Sequence, residues 1–213
     1  MKKNLKIIIL FICQNVFCQE YNFDNFYEFE GSGIKAIMIN SQDDSYYFTC
    51  KKGSETIWGY LFDFKENSIH NYEVIDSDNS VQFNYLNSRK MTTAYLTYIE
   101  NNIQYDSTTE VIDSIKSKTI ITKNHVNKRG KKRFLGKIEL EFDGSNNVFP
   151  GKLIAHFGHH FFDSRDLSFI VNKLPNKIIF DYNNGIVITN KLIKKLKINT
   201  ILKISTVQLV HKQ

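Results

Sequence analysis

The chain has 213 residues with a formal net charge of +6, and 42% of its residues are hydrophobic. That length is enough to bury a sizeable core in one large domain or two small ones. Residues 1–18 carry three lysines and no acidic residue, so the rest of the chain has a net charge of only +3. A balance this small gives no reason to expect a nucleic-acid partner.

The first 18 residues have the layout of a secretory signal peptide. A basic start precedes an apolar run at residues 7–12, and a polar stretch begins at Gln19. Because a membrane span needs about 20 apolar residues, this run is too short for a transmembrane anchor. We expect cleavage after Cys18 and a periplasmic or secreted bacterial protein. Only Cys50 then remains, which excludes an intrachain disulfide.

An aromatic segment follows the expected cleavage site. Its rings belong to Tyr21, Phe23, Phe26, Tyr27 and Phe29. Such a stripe is typical of an edge strand that packs on the core, and we favour that interpretation. The alternative is a surface that binds sugars or peptides.

A second aromatic stripe consists of Trp58, Tyr60, Phe62 and Phe64, which alternate as the side chains of a β-strand do. Several residues between them are also apolar. Because both faces of this stretch are largely apolar, we predict a strand that lies deep in the fold.

The polar region at residues 101–118 is the best candidate for a domain boundary. Two β modules on either side of it and one continuous domain over residues 19–213 are both compatible with the sequence. Within this region, residues 107–110 fit a capping box, and the aliphatic residues after them would form one face of a short helix. The same composition fits a strand equally well.

A basic run at residues 128–133 predicts a hairpin tip, because residues 119–126 read as one strand and the next strand starts at Phe134. Runs of this kind can bind heparin-like chains or anionic lipid. No aromatic residue lies inside the run to stack on bases, and a solvated turn is the simpler interpretation. The candidate polyanion-binding residues are Lys128, Arg129, Lys131, Lys132 and Arg133.

The densest cluster of ionisable side chains contains His156, His159 and His160, with Asp163 and Asp166 close behind. Imidazoles and carboxylates are the ligands that zinc prefers, so the three histidines are candidate metal ligands. Their spacing matches no zinc-enzyme motif, and a polar loop explains them as well. If a metal is bound, one of the aspartates would orient a ligand or act as a base.

Alternation with a period of two dominates the chain. The clearest strand covers residues 134–142, where Ile138 and Leu140 share one face and charged residues share the other. The Asn184–Gly185 pair between two aliphatic runs is the sharpest hairpin signal. Many short strands separated by turn residues predict an all-β fold, an antiparallel sandwich or barrel with at most one or two short helices.

Motifs for catalysis are missing from the sequence. It contains no nucleophile elbow, phosphate loop or dinucleotide fingerprint. The leading hypothesis is an exported β-protein with a binding or structural role in the periplasm or cell exterior. A cell-envelope component or another exported protein is the expected partner. The alternatives are a metal-dependent hydrolase that uses the histidine cluster and a polyanion-binding module that uses the basic run.

Overall fold

The structure is a computed structural model that describes residues 19–31, 34–91, 102–144, 149–150, 153–157, 173–204 and 207–211. The expected signal peptide lies outside these residues. The strands are β1 (Glu20–Gly31), β2 (Ile34–Ile39), β3 (Tyr46–Lys52), β4 (Ile57–Asp63), β5 (Ser68–Asp76), β6 (Ser80–Lys90), β7 (Ile103–Val111), β8 (Ser117–Val126), β9 (Lys132–Phe142), β10 (Lys177–Asp181), β11 (Val187–Lys203) and β12 (Val207–His211). The described part also has one four-residue helix, α1 (Ile154–Phe157).

All twelve strands belong to one open antiparallel sheet, in the order β12-β6-β5-β4-β3-β2-β1-β11-β10-β9-β8-β7. The all-β class is therefore confirmed. The strands form a single continuous sheet that is not closed. In the part of the chain that the structure describes, no helix has the length and hydropathy needed to cross a bilayer.

The alternation predicted for residues 134–142 is confirmed in β9. Ile138 and Leu140 are fully buried, whereas Lys137 and Glu139 form an ion pair on the opposite face. Phe134 departs from the pattern and is 38% exposed. The cause is local, because the β8–β9 register shifts by one residue between Phe134 and Gly136, so Phe134 lies beyond a β-bulge.

The aromatic segment after the expected cleavage site is β1, which lies inside the sheet between β2 and β11. The prediction of an edge strand is therefore wrong, although the predicted packing on the core is confirmed. Tyr21, Phe23, Tyr27 and Phe29 are each at most 3% exposed. These four rings belong to the protein interior and cannot line a binding surface.

The two alternatives for residues 107–110 are resolved in favour of a strand. These residues lie in β7 and pair with residues 118–121 of β8. The hydroxyl groups of Thr109 and Thr119 also meet across the two strands at 3.0 Å. The backbone of these residues forms its hydrogen bonds with β8, so the predicted capping box does not begin a helix. The polar region therefore forms a hairpin, and β7 is an edge strand of the sheet.

The second aromatic stripe lies in and just after β4, and its burial changes along the strand. Phe62 is 8% exposed and stacks on Tyr47 with 5.0 Å between ring centroids, whereas Trp58 is 40% exposed. The prediction of a deep strand thus holds for the second half of β4. That half ends at Asp63, whose side chain is also buried.

The sheet curls so strongly that β5 faces β11. The Tyr72 hydroxyl of β5 lies 3.5 Å from the carbonyl oxygen of Lys203 in β11, although four strands separate them in the sheet order. In a flat sheet, strand spacings of about 4.8 Å would hold these two strands more than 20 Å apart. The inside of the curl is the first core, which contains Tyr21, Phe23, Met38, Tyr46, Phe48, Leu61, Tyr72, Val74, Phe83 and Leu202.

A second core joins the two halves of the chain. Tyr27 and Phe29 of β1 contact Phe149 and Phe157, with ring centroids 5.7 and 4.6 Å apart, respectively. Residues of β8, β9 and β10 complete this core, and they include Ile121, Ile138, Leu140, Ile178 and Phe180. Because β1 contributes to both cores, it connects the curled part of the sheet to the β7–β10 part.

Candidate functional site

The predicted hairpin tip is present between β8 and β9. The Asn127 side-chain oxygen accepts hydrogen bonds from the backbone N–H groups of Arg129 and Lys131 at 2.9 and 3.0 Å. Gly130 has a φ of +75°, a conformation that costs glycine nothing. The Asn127 side chain and the conformation of Gly130 thus fix the turn, which leaves the basic side chains outside its hydrogen-bond network.

The five candidate polyanion-binding residues are all exposed, but one of them is already paired. The Lys132 ammonium lies 2.8 Å from the Asp106 carboxylate and holds the pKa of that carboxyl below its usual value. Among the described residues, no carboxylate forms an ion pair with the other four side chains. These four, which we call the basic tip, are Lys128, Arg129, Lys131 and Arg133.

Exposed apolar side chains follow the basic tip in the sequence and occur in the β10–β11 hairpin, which is bonded to β9. Phe134 follows it directly, and Asn183 in the β10–β11 turn donates a hydrogen bond to the Phe134 carbonyl oxygen at 3.2 Å. Ile186 and Val187 of the same hairpin are 53% and 60% exposed. The predicted Asn184–Gly185 hairpin is confirmed, and Asn183 ties it to the strand that leaves the basic tip.

The histidine cluster falls mostly outside the described residues. His159, His160, Asp163 and Asp166 are not described, and His156 is described only as a backbone position in α1. No side-chain geometry therefore bears on a metal at these positions, and the metal site stays a prediction.

A second polar cluster, which the sequence analysis did not single out, lies at one end of the first core. The Tyr21 hydroxyl donates to Asp63 Oδ2 at 2.6 Å, and its oxygen lies 3.3 Å from His70 Nε2. His70 Nδ1 lies 2.5 Å from the Ser88 hydroxyl, and Ser68 Oγ lies 3.1 Å from Nε2. We call these five residues the buried polar chain, although Ser88 at its outer end is exposed.

Burial determines the protonation states within this chain. Loss of solvation lowers the pKa of His70 below its usual value, and the opposing effect of the Asp63 charge is smaller. Burial and the hydrogen bond to Asp63 together raise the pKa of Tyr21 above its usual range. At neutral pH the imidazole is therefore uncharged and the phenol keeps its proton.

Sequence reasoning missed this cluster because its members come from four strands. Ser68 and His70 share one face of β5, and that spacing was the only local signal. Ser88 stands opposite His70 only because the β5–β6 register shifts near Leu86. Without that extra residue, the register set nearer the β5–β6 turn would place Asn87 opposite His70. One-residue bulges of this kind are not readable from hydrophobic alternation.

The fold and the two polar clusters define an all-β protein with one exposed and one enclosed polar site. No protein-family model, no curated protein and no solved structure matches this chain.

Proposed function

We propose that this chain is an exported binding protein that holds anionic polymers at the basic tip. The observation that carries the proposal is the local excess of charge. Three of the four cationic side chains belong to the five-residue turn and the fourth, Arg133, lies at the start of β9. None of the four is neutralised by a carboxylate of the described residues. Binding a polyanion here would release the polymer's condensed counterions, which is a large favourable contribution at low salt.

The construction of the turn supports the same proposal. The turn backbone is bonded to itself through Asn127, so the charged groups sit on a defined loop. A ligand that binds a preformed turn has less ordering entropy to overcome than one that must order a flexible tail. Arg129 and Arg133 also offer planar guanidinium groups, which bind sulfate or phosphate oxygens through two parallel hydrogen bonds.

Charge recognition fits an anionic polysaccharide or another anionic cell-envelope component better than a nucleic acid. Binding of single-stranded nucleic acid normally combines basic residues with a series of stacking rings. The aromatic residue next to this tip in the sequence is Phe134, which lies on β9 outside the turn. The expected export of the chain supports an extracellular or periplasmic ligand.

The test measures the affinity for dextran sulfate at several salt concentrations by isothermal titration calorimetry. The wild-type affinity should fall steeply as salt rises, because bound counterions are released. The test variant replaces Lys128, Arg129, Lys131 and Arg133 with glutamine. It should bind at least about ten times more weakly at low salt, with a slope smaller by about 3.

A matched control removes the same number of positive charges from exposed positions on β11. It replaces Lys191, Lys194, Lys195 and Lys197 of β11 with glutamine, and Glu28 and Glu30 of β1 face two of these lysines across the ladder. This control should keep most of the affinity and most of the salt slope. Equal losses in the two variants would mean that only net charge matters, and the proposal would fail.

A further inference from the structure

We propose that Ser88 is an activated nucleophile that accepts acyl groups from small carboxylic esters. His70 serves as its general base, and Tyr21 and Asp63 position that base. This site is separate from the basic tip, so it neither depends on the proposed binding function nor follows from it. The hydrogen bonds of the buried polar chain run in the direction that this role requires.

The direction of the hydrogen bonds in the buried polar chain follows from its inner end, where Tyr21 contacts Asp63. The Tyr21 proton is committed to the Asp63 carboxylate, which also accepts from the Gln19 side chain at 3.0 Å and from the Glu66 N–H at 2.9 Å. The Tyr21 oxygen has no proton left to give to His70, and the Ser68 hydroxyl, 3.1 Å from Nε2, can accept as well as donate. We assign the imidazole proton to Nε2, because there it can serve both oxygens. Nδ1 then carries the lone pair and faces the Ser88 hydroxyl at 2.5 Å. That is the arrangement a general base needs toward a serine nucleophile.

Solvent exposure increases along the buried polar chain from Asp63 to Ser88. A buried base and an accessible nucleophile are what the proposed reaction needs. Asp63 and His70 are 2% and 5% exposed, so the base and its positioning groups are held in the interior. Ser88 is exposed on β6. The pairing of β6 with β12 covers only residues 80–84, so in the described structure no strand pairs with β6 on that side at Ser88. An ester carbonyl can therefore approach Ser88 from solvent.

Tyr85 supplies a further polar group at this position. Its hydroxyl lies 2.7 Å from the Ser88 oxygen, and its ring packs edge-to-face on Tyr72 at 5.6 Å. When Ser88 gives its own proton to His70, the Tyr85 hydroxyl remains as a donor beside the reacting oxygen. A hydrogen-bond donor in that place stabilises the negative charge that develops on the Ser88 oxygen as its proton leaves.

The reaction balances with water as the only co-reactant. The Ser88 oxygen attacks the ester carbonyl carbon while its proton moves to His70 Nδ1, and the carbonyl π electrons move onto oxygen. The intermediate collapses, the bond to the leaving alcohol breaks, and His70 returns the proton to that alcohol. Water then attacks the acyl-Ser88 ester with the same base, which releases the carboxylic acid and restores the serine.

The test incubates the purified chain with p-nitrophenyl acetate and locates the acetyl group by peptide mass spectrometry. Acetyl-Ser88 and a burst of p-nitrophenol are expected from the wild type. Ser88→Ala should lose that adduct and at least about 90% of the burst. Ser107→Ala is the matched control, because Ser107 is also an exposed serine on a strand, and it should behave as the wild type does. Folded wild type without acetyl-Ser88, or an undiminished burst from Ser88→Ala, would overturn the proposal.

Tyr21→Phe tests the positioning role with a different readout. The variant keeps the ring that packs against Tyr46 and removes only the oxygen that faces His70. Acetylation should slow by about tenfold, and the pH at which its rate is half-maximal should change. Among the described residues, Asp63 on β4, Lys90 on β6 and Tyr21 are the charged and titratable groups that act on His70, and Tyr85 on β6 contacts Ser88. An unchanged rate and pH profile in the folded variant would show that Tyr21 does not position the base.

Discussion

The two polar regions of this molecule differ in how their groups are partnered. In the buried polar chain, each group from Asp63 to Ser88 is bonded to the next, and only the last one meets solvent. In the basic tip, the turn backbone is bonded and the charged side chains are not. The contrast shows that internal bonding fixes the direction of a proton, which suits chemistry. Unpartnered exposed charge is available to another molecule, which suits binding.

The largest effect is expected when the carboxylate at the inner end of the buried polar chain is removed. Asp63→Ala leaves the Tyr21 hydroxyl, the Gln19 amide and the Glu66 N–H without their acceptor. We expect a loss of about 3 kcal/mol in the free energy of unfolding, measured by urea denaturation. Asp113→Ala is the control, since Asp113 accepts from two backbone N–H groups of an exposed turn. It should lose less than half as much, and equal losses would contradict the account.

Asn190 differs from the buried polar chain because its buried side chain has no hydrogen-bond partner among the described residues. Its side chain is fully buried, and neither its oxygen nor its nitrogen has a hydrogen-bond partner in the described part of the chain. Asn190→Leu should therefore raise the free energy of unfolding by about 1 kcal/mol. Asn124→Leu should do the opposite, since the Asn124 amide donates to Asp106 at 3.0 Å. Thermal unfolding of both variants checks the signs, and destabilisation by Asn190→Leu would contradict the prediction.

The pH dependence of stability gives a smaller effect with a definite sign. Because burial lowers the pKa of His70 in the folded state, the unfolded chain binds more protons at this residue below about pH 6.5. Its contribution to stability is therefore complete above pH 6.5 and is lost as the pH falls toward the lowered pKa. Urea midpoints between pH 5 and 7.5 measure this loss. A folded His70→Gln variant should show a flatter profile, and an identical slope would refute the assignment.

The smallest expected effect belongs to the basic tip. Replacing its four cationic side chains with glutamine should change the free energy of unfolding by less than about 0.5 kcal/mol, because exposed groups without partners contribute little. Denaturation in urea measures this directly. A loss above about 1 kcal/mol would mean that these side chains support the fold and are not simply available to a ligand.

Local features of the sequence predicted the basic tip well. Residues 134–142 alternate clearly, residues 119–126 have a β-like composition, and asparagine and glycine within the turn favour a hairpin. The Asn184–Gly185 hairpin was predictable for the same reason. In both cases the signal lies within a few residues of the feature it predicts.

Features that depend on strand order or register were not predictable. The aromatic stripe of β1 predicted an edge strand, yet β1 is central because it pairs with residues of β11 that lie 159 to 183 positions further along the chain. Ser88 meets His70 only through the register shift near Leu86. Periodicity shows which side chains share a face, whereas neighbours across a sheet depend on the whole fold.

The most direct test of the central claim maps the ligand-binding surface by nuclear magnetic resonance. Dextran sulfate would be titrated into the isotope-labelled chain, and the change in each backbone amide shift would be measured. The account predicts that the largest shifts occur at residues 127–133, with smaller ones in the neighbouring turn at residues 182–186. Largest shifts on the lysines of β11, or uniform small shifts over the whole surface, would contradict it.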